Sequence, residues 1–365
     1  MNLKTIRRAA VPGVAALALL MSACGASNES GSGDDNNDSA GLSGTLKGGG
    51  ATSQEKAQEA WKTAFQGKNT GLTVDYQLLG STDGRNQFIA KALSFAGSDS
   101  YLKDEDLTKA KERCDGNIVE VPAYISSIAV AYNLPGVDEL NLDADTLAKI
   151  FDNKITKWND PAIAAQNNGV DLPDLKITPV HRSDDSGTTK NFTDYLNKVA
   201  PDSWKYEAED AFPVSGGLSA EGTSGVVKSI TDTEGVIGYA DASQTGDLKH
   251  VSVKVGDAYV APSPEGAAKT VEVSPVVEGR DATDIAVDVD RTTTEAGAYP
   301  VILLSYLIAC EKYDDKAEAD NVKGYFEYIV SDEGQAEAAD FAGSAKLAPE
   351  TAKKVQDIVA GISAK

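Results

Sequence analysis

The sequence predicts an α/β fold in which strands and helices alternate and the sheets are mostly parallel. Two observations carry this. Short apolar or alternating runs of strand type switch repeatedly to apolar residues at i, i+3 and i+4 spacing, and Gly/Ser/Thr-rich turns mark the switches. Such alternation is the pattern of strand–helix units rather than of a bundle or a sandwich.

The elements follow in order. A strand from Thr45 runs into GGGATS, after which Ala57, Ala60, Trp61, Ala64 and Phe65 keep helical spacing. Leu72 to Leu79 alternates as a strand, GSTDGR follows, and Phe88, Ile89, Ala92 and Leu93 mark a second helix. Phe95 to Asp99 reads as a short strand and turn, Ile118 to Val121 as a strand, and Tyr124 to Tyr132 as a buried strand. Leu142 to Phe151 is helical, and Asn159-Asp160-Pro161 opens another helix. Ile177 to Val180 is a strand feeding HRSDDSGTTKNF, where Phe192, Tyr195, Leu196 and Val199 predict a helix from about Thr188. Gly235 to Ala240 is a strand, Val301 to Ile308 is strongly apolar, Val322 to Ile329 reads as helix, and Ala338 to Ile358 as a terminal helix.

The first residues differ in kind. Lys4, Arg7 and Arg8 precede an apolar run, Val11 to Leu20, too short for the roughly 20 residues that span a bilayer. Residues 1–23 therefore read as a signal peptide. Met21-Ser22-Ala23-Cys24 resembles a bacterial lipobox, which implies that Cys24 is lipidated and becomes the mature N-terminus. Residues 24–43, rich in Gly, Ser, Asn and Asp, form a flexible linker to the folded body.

The chain carries 34 Lys and Arg against 56 Asp and Glu, a formal charge of −22. Removing residues 1–23 takes away three basic residues and no acidic ones, so the mature charge is −25. This argues against nucleic acid or an anionic membrane surface as partner, since both call for basic patches. Cys114 and Cys310 remain, and outside the cytoplasm such a pair reads as a disulfide rather than a metal site; the sequence does not show that they meet. No His or Cys cluster has zinc-ligand spacing, so neither a metal nor a cofactor is expected.

One device is repeated. Gly48 to Ser53, Gly80 to Gly84 and Asp185 to Thr189 each lie between a strand pattern and a helix pattern. Glycine admits close backbone approach, hydroxyls donate, and a helix N-terminus carries partial positive charge. Each alone is an ordinary cap; three together, with Arg182 beside one, indicate an oxyanion site. No P-loop spacing and no G-x-G-x-x-G after a strand occurs.

GGGATS, LGSTDGRNQF, FAGSDSYL, ITKWNDP and HRSDDSGTTKNFTDYL, followed by GVIGYA and YPVILLSYLIA, resemble in that order the PstS family, the phosphate-binding proteins of bacterial phosphate ABC transporters. R-x-D-x-S-G-T is the most specific of these. The resemblance implies a two-domain periplasmic-binding-protein fold of type II, with a discontinuous domain I (44–122 plus 241–365), a domain II (123–240) and a hinged cleft. The crossings would fall near Ala123 and Tyr239–Ala240. It also implies inorganic phosphate as ligand, membrane permease subunits as partner, a lipid anchor on the extracytoplasmic face, and a monomer.

Carried over residue by residue, the ligand set is Thr52, Ser53, Ser81 and Asp99 from domain I and Arg182, Ser186, Gly187 and Thr188 from domain II. Ser53 stands where the family often has phenylalanine, so only its backbone N–H is expected to serve. Arg182 offers planar donors to oxyanion oxygens, and Asp184 is placed to hold its fork. Asp99 explains selectivity. Hydrogen phosphate can donate its proton to a carboxylate, whereas sulfate has none and would leave Asp99 facing a second anion. The alternatives are a same-fold receptor for another oxyanion and a secreted phosphatase or serine hydrolase. The latter would use His181 and Ser186, but no G-x-S-x-G elbow exists and no metal cluster is present to activate water, so an enzyme is not expected.

Overall fold

A computed structural model describes residues 41–365; the leader, Cys24 and nearly all of the linker lie outside them. The first strand, β1 (Gly44–Gly50), pairs in parallel with β2 (Leu72–Leu78) and β3 (Phe95–Ser98). Helix α1 (Glu55–Lys68) follows β1, α2 (Ser81–Ile89) follows β2, and α3 (Asp104–Arg113) follows β3. The glycines of β1 are required by packing. A Cβ on Gly48 would stand 2.1 Å from the Phe95 ring, and one on Gly50 would stand 2.0 Å from the Gly97 carbonyl. The GGG run is thus strand interior, and only its end bears on the cleft.

Next comes β4 (Ile118–Tyr132), one unbroken strand, buried at every position. Sequence reading splits it at Pro122-Ala123; the proline is accommodated where the ladder to the neighbouring strand shifts register. That neighbour is β11, described below. Beyond β4 lie β5 (Leu140–Leu142), α4 (Ala144–Phe151), α5 (Pro161–Ala164), β6 (Thr178–Arg182), α6 (Gly187–Val199), β7 (Leu218–Ala220), α7 (Gly222–Asp232) and β8 (Val236–Asp241). The chain continues through β9 (Lys249–Val255), β10 (Ala258–Val260), α8 (Pro264–Val273), β11 (Ile302–Cys310) and β12 (Lys312–Tyr313). It ends with α9 (Lys316–Ile329), α10 (Asp332–Ala342), α11 (Pro349–Val359) and β13 (Ser363–Ala364).

The main sheet runs β2-β1-β3-β11-β4-β8-β6-β7. Its flanks are parallel, as the alternating pattern predicts, but its centre is not. Strand β11 is antiparallel to both β3 and β4, and β4 is antiparallel to β8. Long apolar strands buried on both faces read alike in either direction, which is why the sequence gives no sign of this. Strand β4 pairs with β11 through Ser127 and with β8 from Ile128 onward, so it belongs to two halves of the molecule. Strand β9 pairs with β5 and with Ala131–Tyr132, placing residues 249–255 beside the second half, whereas the sequence division puts them in domain I.

Three helices were not predicted. α3 carries seven charged residues in ten and buries only Ala110, α7 contains two glycines, and α8 lacks a full apolar stripe. The predicted terminal helix is two. Gly343 ends α10 at φ +58°, and Pro349 starts α11 at a position where proline fits. Cys114, at the end of α3, is bonded to Cys310, at the end of β11, fixing the outer edge of the first half. No helix among the described residues is long and apolar enough to cross a membrane.

Candidate functional site

Asp99 follows directly on β3 and is 3% exposed. Ser53 Oγ donates to its two carboxylate oxygens at 2.8 Å each, and Ser305 Oγ donates to Oδ1 at 2.7 Å. Thr188 Oγ1, from α6, reaches Oδ2 at 3.3 Å. The Asp99 backbone N–H donates to Ser81 Oγ at 3.1 Å, and its carbonyl accepts from Asn191 Nδ2 at 2.7 Å. Burial pushes the carboxyl above its ordinary range; the bonds from Ser305 and Ser53 and the charge of Arg182 work in the opposite direction.

Arg182 ends β6 and is itself buried. Its Nε donates to Asp184 Oδ1 at 2.7 Å and its Nη2 to Asp184 Oδ2. Nη1 makes no hydrogen bond among the described residues. Asp184 is held in turn by the Gly222 N–H at 3.0 Å. Burial opposes ionisation of Asp184, but the Arg182 bonds and charge and the Gly222 N–H outweigh it and hold the carboxyl below the usual carboxylate range. Asp184 therefore stays ionised, with one edge of the guanidinium fork occupied and the other available to an anion.

Three helix starts meet here. Ser186 caps α6, its Oγ accepting from the Thr188 N–H at 3.1 Å and the Thr189 N–H at 3.3 Å. Gly80 precedes α2 at φ +88°; a Cβ there would stand 2.9 Å from the Asp185 carbonyl and 3.3 Å from Asp184 Oδ2. The 3-10 turn Thr52–Gln54 leads into α1. The backbone N–H groups of Ser53, Ser81 and Gly187 have no acceptor among the described residues, as expected of first-turn donors. Together they supply donors and three positive dipole ends.

All eight residues proposed from sequence lie in this region, though not in identical roles. Ser53 engages Asp99 through its hydroxyl, while its backbone N–H, the group expected to serve, has no acceptor among the described residues. Thr52 faces Thr223, hydroxyl to hydroxyl at 2.9 Å, rather than Asp99. Sequence reading missed Ser305, Asn191, Thr223 and the bridge in which Thr82 Oγ1 and Arg85 Nη2 each donate to Asp210 at 2.7 Å. Ser305 did leave a signal, as the one polar residue inside the apolar run Ile302–Cys310. His181 does not approach Ser186; it stacks on Phe212 at 4.3 Å, and its Nδ1 lies 2.9 Å from the Arg182 carbonyl.

Comparison with known proteins identifies the family. Residues 35–333 match the family description "PBP superfamily domain". Phosphate-binding protein PstS2 of Mycobacterium bovis (strain BCG / Pasteur 1173P2) is 34% identical, with 97% of this chain and 98% of the relative covered. Phosphate-binding protein PstS 3 of Mycobacterium leprae (strain TN) is 33% identical, covering 87% of this chain and 89% of the relative. Among solved structures, the high affinity periplasmic phosphate-binding protein PfluDING bound with phosphate superposes with a TM-score of 0.72 at 20% identity, over 86% of this chain and 93% of that one. At that identity the superposition speaks for the fold: two α/β domains of the periplasmic-binding-protein type. On these matches, the chain is a member of the PBP superfamily and, within it, of the PstS family of phosphate-binding proteins.

Proposed function

We propose that this protein is an extracytoplasmic receptor that binds one inorganic phosphate, as hydrogen phosphate, and delivers it to the membrane permease of an ABC importer. One observation carries the reading: the starts of three helices and the free edge of the Arg182 guanidinium converge around the buried carboxyl of Asp99. Donors of that kind satisfy oxyanion oxygens, and the single acceptor matches the single proton of hydrogen phosphate. The ligand set is Thr52, Ser53, Ser81, Asp99, Arg182, Ser186, Gly187 and Thr188, with Asp184 as support. Within a desolvated cleft these bonds gain strength, so the net charge of the chain does not prevent binding.

The lobes that close on the ligand are, on this reading, residues 44–127 plus 261–365 and residues 128–260, limits that follow the change of strand partners. Phosphate touching both lobes favours the closed arrangement by its differential contacts. Cys24, outside the described residues, is the proposed lipid anchor that keeps the receptor near the permease. An esterase or phosphatase is disfavoured, because His181, the base that reading would set on Ser186, is turned towards Phe212.

Calorimetric titration of phosphate-stripped protein, wild type beside Arg182→Ala, tests the reading. One-to-one phosphate binding that disappears in the variant supports it; phosphate binding of equal strength in both would remove Arg182 and this cleft from the function.

A further inference from the structure

A cavity of about 230 Å³ opens beside Asp99, between the loop after β3, the exposed side of α6 and residues 287–291. It shares Asp99 and Asn191 with the site already described. Asn191 is held by bonds to the Asp99 and Gly187 carbonyls, at 2.7 and 2.8 Å, so it forms part of the wall between the two spaces.

The charges on its lining do not cancel evenly. Lys198 lies 3.0 Å from Asp288 and 3.4 Å from Asp194. Arg291 bonds Asp194 at 3.1 Å and donates to the Pro300 and Ile302 carbonyls. Those two cations are committed. Lys103 and Lys190 line the same cavity and make neither an ion pair nor a side-chain hydrogen bond among the described residues. Asp210, whose carboxyl feels the Lys190 charge, is itself bonded to Arg85 and Thr82.

Lys190 also stands in the first turn of α6, where a positive side chain faces the positive end of the helix dipole and disfavours the helix.

Resting on the phosphate reading above, we propose that this cavity is an outer capture site for the incoming oxyanion, with Lys103 and Lys190 as its charged rim, from which the ion reaches Arg182 when the lobes part. The sign of the chain makes such a site useful. A mature chain of net charge −25 repels phosphate, but at physiological salt its field fades over about 8 Å. Lys103 and Lys190, neither in an ion pair among the described residues, then act on the last approach, and positive charge beside a cleft raises the association rate of an anion.

Stopped-flow measurement of phosphate binding by the whole protein, at low and high ionic strength, tests this. Lys103→Gln/Lys190→Gln should slow association about three- to ten-fold at low salt while dissociation is unchanged. High salt should bring the wild type down to the variant, and Lys190→Arg should keep the wild-type rate. Association unchanged in a variant that still binds phosphate would overturn the capture site alone, as would a loss confined to dissociation. A wild type that binds no phosphate would instead overturn the functional reading, and the capture site with it.

Discussion

Gly187, at the first position of α6, meets Ser81, at the first position of α2, so closely that a Cβ on it would stand 2.5 Å from Ser81 Oγ and 2.7 Å from the Asp99 Cβ. On the two-lobe reading proposed above, the two residues belong to opposite lobes, and this contact forms only when the lobes close. Gly187→Ala should therefore act on closure rather than on folding. Overpacking of this kind costs about 1–3 kcal/mol, or roughly 5- to 150-fold in phosphate affinity. Thermal stability without ligand should be nearly unchanged. An alanine variant with wild-type affinity would mean that the ligated state does not bring α6 against α2.

Ser305 donates to Asp99 Oδ1 and accepts from Gln54 Nε2 at 2.5 Å. Its bond to Asp99 favours the ionised carboxyl. Ser305→Ala should raise the Asp99 pKa further, so the acid limb of the phosphate-binding profile should move to higher pH. Leaving the Gln54 amide without its acceptor should also cost about 1–3 kcal/mol of stability. Titrations at a series of pH values check this, and an unmoved acid limb would contradict the role given to Asp99.

Asp241 is fully buried at the end of β8, where Tyr124 OH and the Ser243 N–H and Oγ donate to it. Burial pushes its carboxyl from 3.8 to about 7. Between these values the folded protein holds a proton that the unfolded chain has lost, so this group's contribution to stability falls as pH rises from about 4 to about 7 and is level above. The full change is roughly 4 kcal/mol. Asp241→Asn resembles the protonated form and should gain on the wild type across that window, with its largest advantage near pH 8. Denaturant midpoints of the two proteins against pH decide it; parallel curves would show that Asp241 does not titrate there.

The Cys114–Cys310 bond ties α3 to β11 across a sequence separation of 196 residues. Replacing both by serine should lower stability by roughly 2–5 kcal/mol with little effect on phosphate affinity, since the bond lies at the outer edge of the first half. A large affinity loss with stability intact would reverse that assignment.

Local chemistry made much of this legible in advance. The α6 stripe of Phe192, Tyr195 and Leu196 and the cap at Ser186 are written in residues close along the chain, and so is the Arg182–Asp184 fork. What the sequence hid is set by distance. Ser305 meets Asp99 because β11 inserts antiparallel between β3 and β4. Thr223 meets Thr52, and Asp210 meets Arg85, because the two halves abut. The split between α10 and α11 was readable from Gly343 and Pro349 but was masked by apolar residues on either side.

The central claim is that Asp99 accepts the proton of hydrogen phosphate in a cleft whose remaining groups donate. Calorimetric titration of the stripped protein with phosphate and then sulfate, for the wild type and Asp99→Asn, tests it most directly. Tight one-to-one phosphate binding with no response to sulfate in the wild type, and a narrowed gap in Asp99→Asn, is the predicted result. Equal binding of both anions by the wild type, or selectivity untouched in the variant, would contradict it.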